Sequence, residues 1–102
     1  MKIILLLKHI KEKIVLVLYF KNTEKVINWR KNFPCSKEWK LIYAGKRGRS
    51  GHRYELTYSK FDECGKLHSK YVICYSKKES LILKKNIKEA NPNYILNIKK
   101  LY

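Results

Sequence analysis

Arg53-Tyr54-Glu55-Leu56-Thr57-Tyr58-Ser59 sets Tyr54, Leu56 and Tyr58 against Arg53, Glu55 and Thr57, the cleanest period-two pattern in the chain. Successive side chains of a strand point to opposite faces, so the pattern predicts a half-buried strand. Leu67–Tyr75 carries Tyr71, Ile73 and Tyr75 on one side and reads as its partner. Between them, Asp62-Glu63-Cys64-Gly65 supplies a hairpin turn in which Gly65 is free to take a left-handed conformation. The hairpin runs directly into Ser76-Lys77-Lys78-Glu79, a capping box that satisfies orphan backbone N–H groups and so starts a helix. Leu83, Ile87 and Ala90, flanked by Ser80 and Ile82, share one face at helical spacing, and Asn91-Pro92-Asn93 ends the run. Tyr94–Tyr102 reads as a last strand.

Working back toward the start, Trp39–Ala44 alternates Trp39, Leu41 and Tyr43 against Lys40, Ile42 and Ala44, a third strand. Asn22 and Thr23 can cap a helix through about Asn32, with Val26, Trp29 and Phe33 on one face and Pro34 as its stop. Ile14–Phe20 is rich in branched and aromatic residues, and Ile3–Leu7 pairs with it across the charged turn Lys8–Lys13. The same residues also fit an amphipathic basic helix with Ile3, Leu7, Ile10, Ile14 and Val17 in a stripe; we read two strands. The expectation is one α+β domain over 1–102: a single antiparallel sheet with two helices packed on it. Its parts are a strand pair at 2–20, helix–three strands–helix at 22–90 and a C-terminal strand at 94–102. No internal repeat and no low-complexity linker is visible.

A chain of 102 residues is one domain's worth of polypeptide and buries roughly two-thirds of its unfolded surface, enough for a core without disulfides. Its 24 Lys and Arg against 8 Asp and Glu leave a formal +16. That surplus repels itself on a small surface and calls for a counter-charged partner, which excludes a calcium binder or a mimic of an acidic substrate. AT-rich codons account for part of the lysine, but not for the scarcity of acids. Cys35, Cys64 and Cys74 are odd in number and form no CxxC pair, so a reducing compartment, cytoplasm or organelle matrix, is expected. The apolar run Ile3–Leu7 is closed by Lys8 and has no cleavage site, and Ile14–Phe20 falls far short of the roughly twenty residues of a membrane span.

Two constellations point to phosphate. Gly45-Lys46-Arg47-Gly48-Arg49-Ser50-Gly51-His52-Arg53 spaces three glycines by three, so backbone can approach a partner while Lys46, Arg47, Arg49 and Arg53 supply cations. It contains GxxG twice without the flanking helices of a KH domain, and it lacks the GK[ST] ending of a P-loop. In the last helix Lys77, Lys78, Lys84, Lys85 and Lys88 fall opposite Leu83, Ile87 and Ala90. A charged outer face is ordinary, but here the only carboxylate four residues from any of these lysines is Glu89, after Lys85. Two of the lysines also sit at the helix N-terminus, where the macrodipole favours an anion.

The other candidates are weaker. Tyr54, Tyr58, Tyr71 and Tyr75 can stack on bases, but aromatics alternating on strands belong first to a core, and we read them so. His9, His52 and His68 are scattered, and Cys64-x-x-x-His68 matches no zinc-finger spacing, so neither metal nor cofactor is expected. His52 has no paired acid or base, which leaves it a phosphate contact and the chain without a catalytic set.

Over Glu24–Glu89 the order helix–strand–strand–strand–helix resembles a double-stranded RNA-binding domain. Trp39-Lys40-Leu41-Ile42-Tyr43, Gly51-His52 and Ser76-Lys77-Lys78-Glu79 carry the likeness. Ser80, Leu81 and Ile82-Leu83 depart from that family's last-helix pattern, and sheet-plus-helix arm-binding domains of tyrosine recombinases are similar over Trp39–Ala90. The resemblance implies that Lys77 and Lys78 grip phosphates and that His52 contacts the minor groove. The function expected is therefore a basic, non-enzymatic nucleic-acid binder, RNA ahead of DNA, of the kind found in ribosomal and other ribonucleoprotein particles. The alternative is a phage or mobile-element factor that binds DNA or a protein–nucleic-acid machine and inhibits or steers it. A third, peripheral attachment to an anionic membrane, would use residues 2–20 as a helix.

Overall fold

A computed structural model describes residues 2–32, 38–47 and 51–102. The chain divides into two compact units, Met1–Arg49 and Ser50–Tyr102.

The first unit contains β1 (Lys2–His9), β2 (Val15–Phe20), α1 (Thr23–Asn32) and β3 (Trp39–Arg47). Ile3, Ile4, Leu5, Leu6 and Leu7 are all buried although alternate residues point to opposite faces. A strand apolar on both faces cannot sit at a solvated edge, and β1 accordingly lies in the middle of a three-stranded antiparallel sheet in the order β2-β1-β3. The strand reading of residues 2–20 therefore holds, and the helical alternative is not what forms. Its hairpin closes over residues 10–13, with the His9 N–H donating to the Ile14 carbonyl and Lys13 at φ 55°. Asn22 Oδ1 accepts the Lys25 N–H at 3.0 Å to start α1, whose Trp29 ring stands 5.6 Å from that of Phe20. Phe33, Pro34 and Cys35, expected at the end of this helix and beyond it, lie outside the described residues.

The second unit contains β4 (Tyr54–Phe61), β5 (Leu67–Cys74), α2 (Lys77–Ala90) and β6 (Ile95–Lys100). Its antiparallel sheet is ordered β5-β4-β6. Leu56, Tyr58, Val72 and Cys74 are buried on the α2 side, where Ser80, Leu83, Ile87 and Ala90 are the buried face of the helix. Ser76 Oγ accepts the Glu79 N–H at 3.0 Å, as the capping box requires. The turn residue Gly65 sits at φ 80°.

Two corrections follow. There are two three-stranded sheets rather than one, because β3 pairs with β1 and not with β4. The three strands of the double-stranded RNA-binding likeness are thus present in order but do not share a sheet. Second, an extra residue in β3 breaks the register between Leu6 and Leu7. Leu7 opposes Leu41 while Leu5 opposes Ala44, so Ala44, not Tyr43, joins Trp39 and Leu41 on one face.

Candidate functional site

The lysine set of α2 is set out by the packing of its opposite face. Burying Leu83 and Ile87 against the sheet leaves Lys77, Lys78, Lys84 and Lys85 exposed. Among the described residues none of these four is ion-paired with a carboxylate. Leu81 is exposed beside them. Lys88 is exposed too, but its Nζ donates to the Pro92 carbonyl at 2.7 Å and to the Tyr94 carbonyl at 3.0 Å, bonds that fasten the helix exit. It therefore serves the turn as well as the surface.

The glycine-spaced segment is not one loop. Gly45, Lys46 and Arg47 complete β3, and Gly48, Arg49 and Ser50 lie outside the described residues. Lys46 is exposed. Arg47 is buried, with its guanidinium carbon 5.1 Å from the Tyr19 ring centre, so it departs from the solvent-facing role expected of it. Its burial follows from strand alternation, which turns Lys46 and Arg47 to opposite faces of β3. Gly51 and His52 are exposed. Arg53 Nη1 donates to the His52 carbonyl at 2.8 Å, and its guanidinium carbon lies 4.0 Å above the Tyr75 ring, which holds the side chain half-buried. The structure thus groups the α2 lysines on one helix, while the 45–53 residues divide between the end of β3 and the approach to β4.

Of the four tyrosines read as core, Tyr58 is buried edge-on to Tyr94 at 5.5 Å, and Tyr54 and Tyr75 are half-buried. Tyr71 departs from that reading at 67% exposed. It opposes Thr57, so it stands on the sheet face away from α2, as do the exposed Phe61, Leu67 and Ile95. Lys99 and Lys100 are exposed cations at the end of β6 that the sequence reading passed over. Their adjacency at a strand end was the available signal.

Asp62 organises the β4–β5 turn. Oδ1 accepts the Cys64 N–H at 2.9 Å and the Lys66 N–H at 2.8 Å, and Oδ2 bonds His68 Nε2 at 2.7 Å. The His68 bond, then the backbone N–H groups, hold its carboxyl below the ordinary value of 3.8. Cys64 is exposed and Cys74 buried, and no group of three or more potential metal-ligating side chains occurs among the described residues. In the first unit, a cleft of about 350 Å³ opens between α1 and the sheet, lined by Leu5, Leu7, Trp29, Arg30, Trp39 and Leu41 among others. No helix among the described residues is long and apolar enough to cross a membrane. No protein-family model, curated protein or solved structure matches the chain.

Proposed function

We propose that the chain binds nucleic acid through its phosphate backbone, with structured RNA as the first candidate ligand and the outer face of α2 as the principal contact. One observation carries this reading: Lys77, Lys78, Lys84 and Lys85 are exposed on a single helix face and, among the described residues, have no carboxylate partner. A helix that needs only solvation gains from intrahelical ion pairs, and among the described residues these four lysines make none. Each lysine that meets a phosphate releases a condensed counterion, so affinity comes from neutralisation and not from reading bases. Lys77 and Lys78 lie in the first helical turn, where the helix dipole adds to the attraction. His52 and Lys46 are further exposed contacts. The formal +16 supports the same class of ligand.

The test is fluorescence anisotropy of the full chain with matched RNA and DNA duplexes over a salt series. Affinity should fall steeply as salt rises. Lys77→Ala should weaken binding on every sequence alike and lower the slope of log K against log salt by about 1. Binding that is indifferent to salt, or absent at low salt, defeats the reading.

A further inference from the structure

The two units are built on one plan. Each runs strand, strand, helix, strand, and each sheet places the first strand between the second and third. The registers agree up to Leu6, beyond which the extra residue in β3 shifts the first unit by one. Ile3 lies between Phe20 and Lys46, and Tyr54 lies between Cys74 and Lys100, so the residues flanking the central strand are 26 apart in both units. The helix caps fall in step. Asn22 stands two residues beyond Phe20 and Ser76 two beyond Cys74, and each side chain accepts the backbone N–H three residues on at 3.0 Å. The units differ in length within the hairpin, where the second gains two rungs and loses one turn residue, and at the bulge in β3, which β6 lacks.

Aligned by this register, Leu5 matches Leu56 and Leu7 matches Tyr58, all four buried. Trp29 matches Leu83. Those agreements follow from a shared core. Three others do not: Arg30 and Lys31 match Lys84 and Lys85, and Lys46 matches Lys100. All six are exposed, and among the described residues none is ion-paired with a carboxylate. Packing makes no demand for a cation at an exposed position, whereas a polyanionic ligand would.

We propose that the first unit carries its own polyanion-binding site on α1, centred on Arg30 and Lys31 as the counterparts of Lys84 and Lys85. The ligand class is the phosphodiester backbone of a nucleic acid, and the inference rests on the function proposed above. The chain then has a phosphate-gripping surface in each unit, alike at these positions but not at Lys77 and Lys78, which match Thr23 and Glu24. Two sites in one chain, engaged on one polymer, bind more tightly than either alone without any new contact.

Charge-neutralising pairs in the full chain separate the outcomes. Arg30→Gln with Lys31→Gln removes two cations from the first unit, and Lys84→Gln with Lys85→Gln removes two from the second. Lys11→Gln with Lys66→Gln, both exposed turn positions, removes the same charge elsewhere. The probes are a 24-base-pair RNA duplex and the matching DNA duplex, and circular dichroism verifies that each variant is folded. Each helix pair should weaken binding about tenfold and lower the salt slope by about 2, and the turn pair should leave the slope nearly unchanged. If only one helix pair, whichever it is, changes the slope, the two-site proposal is overturned while the binding function stands. If all three pairs act equally, charge acts without a site and this proposal also fails. If neither helix pair matters, the proposed function goes with it.

Discussion

Asp62, the one aspartate in the chain, holds the turn between β4 and β5 with two backbone bonds and one to His68. Gly65 completes that turn at a φ which a side chain would strain. Because the folded state lowers the Asp62 pKa, the charged carboxylate stabilises the native chain above 3.8, and that contribution is lost as pH falls through the lower folded value. Asp62→Asn should therefore unfold at a lower temperature than the parent near neutrality, with the gap closing as pH drops below 3.8. Thermal unfolding of both proteins from neutral pH to about pH 2 reads this directly, and a gap that widens in acid contradicts the assignment. At this scale the sequence was legible wherever the cause is local. The Asp62–Gly65 turn and the Ser76 cap depend on neighbours within four residues. Arg47 was not legible, because its burial depends on a face of β3 that no local pattern reveals.

At the scale of elements, α2 is the piece most firmly written in the chain. Its cap, its apolar face and its end were all expected from spacing. Ser76→Ala should cost about 1 kcal/mol by orphaning the Glu79 N–H, and Leu83→Ala about 2–5 kcal/mol by opening a hole beneath the helix. Urea titration of the two variants against the parent tests the ordering. A cap loss larger than the core loss would mean that α2 is held chiefly by its first turn. Strand positions were also predictable to within a few residues, as were the two hairpin partnerships β1–β2 and β4–β5, whereas the partner of β3 was not. Trp39–Arg47 alternates much as Tyr54–Phe61 does, and nothing local tells which strand it will join. The answer lies in Ile3–Leu7, whose uniform burial demands neighbours on both sides.

At the scale of the whole molecule, the hidden quantity is the duplication of plan. Across the aligned register only a few identities survive, among them Leu5 with Leu56, Lys31 with Lys85 and Lys46 with Lys100, too thin a thread for a repeat search. The charge divides as +10 over 1–49 and +6 over 50–102, so both units feel self-repulsion. Raising the ionic strength from low values should therefore raise the melting temperature, and a duplex at 100 times its dissociation constant should add about 2.7 kcal/mol. Calorimetry over a salt series checks the first, and a melting temperature that falls with added salt would show that the cations are already balanced within the fold. One pair of backbone bonds reaches further. The Arg53 N–H donates to the Tyr102 carbonyl and the Leu101 N–H to the Arg53 carbonyl, so the strand that opens the second unit is stitched to its last residues. Entrance and exit of that unit are side by side, the arrangement of a cassette. Polypeptide joined after Tyr102 would leave beside the point of entry, so a fused passenger is carried at the doorway and away from the far end of the sheet.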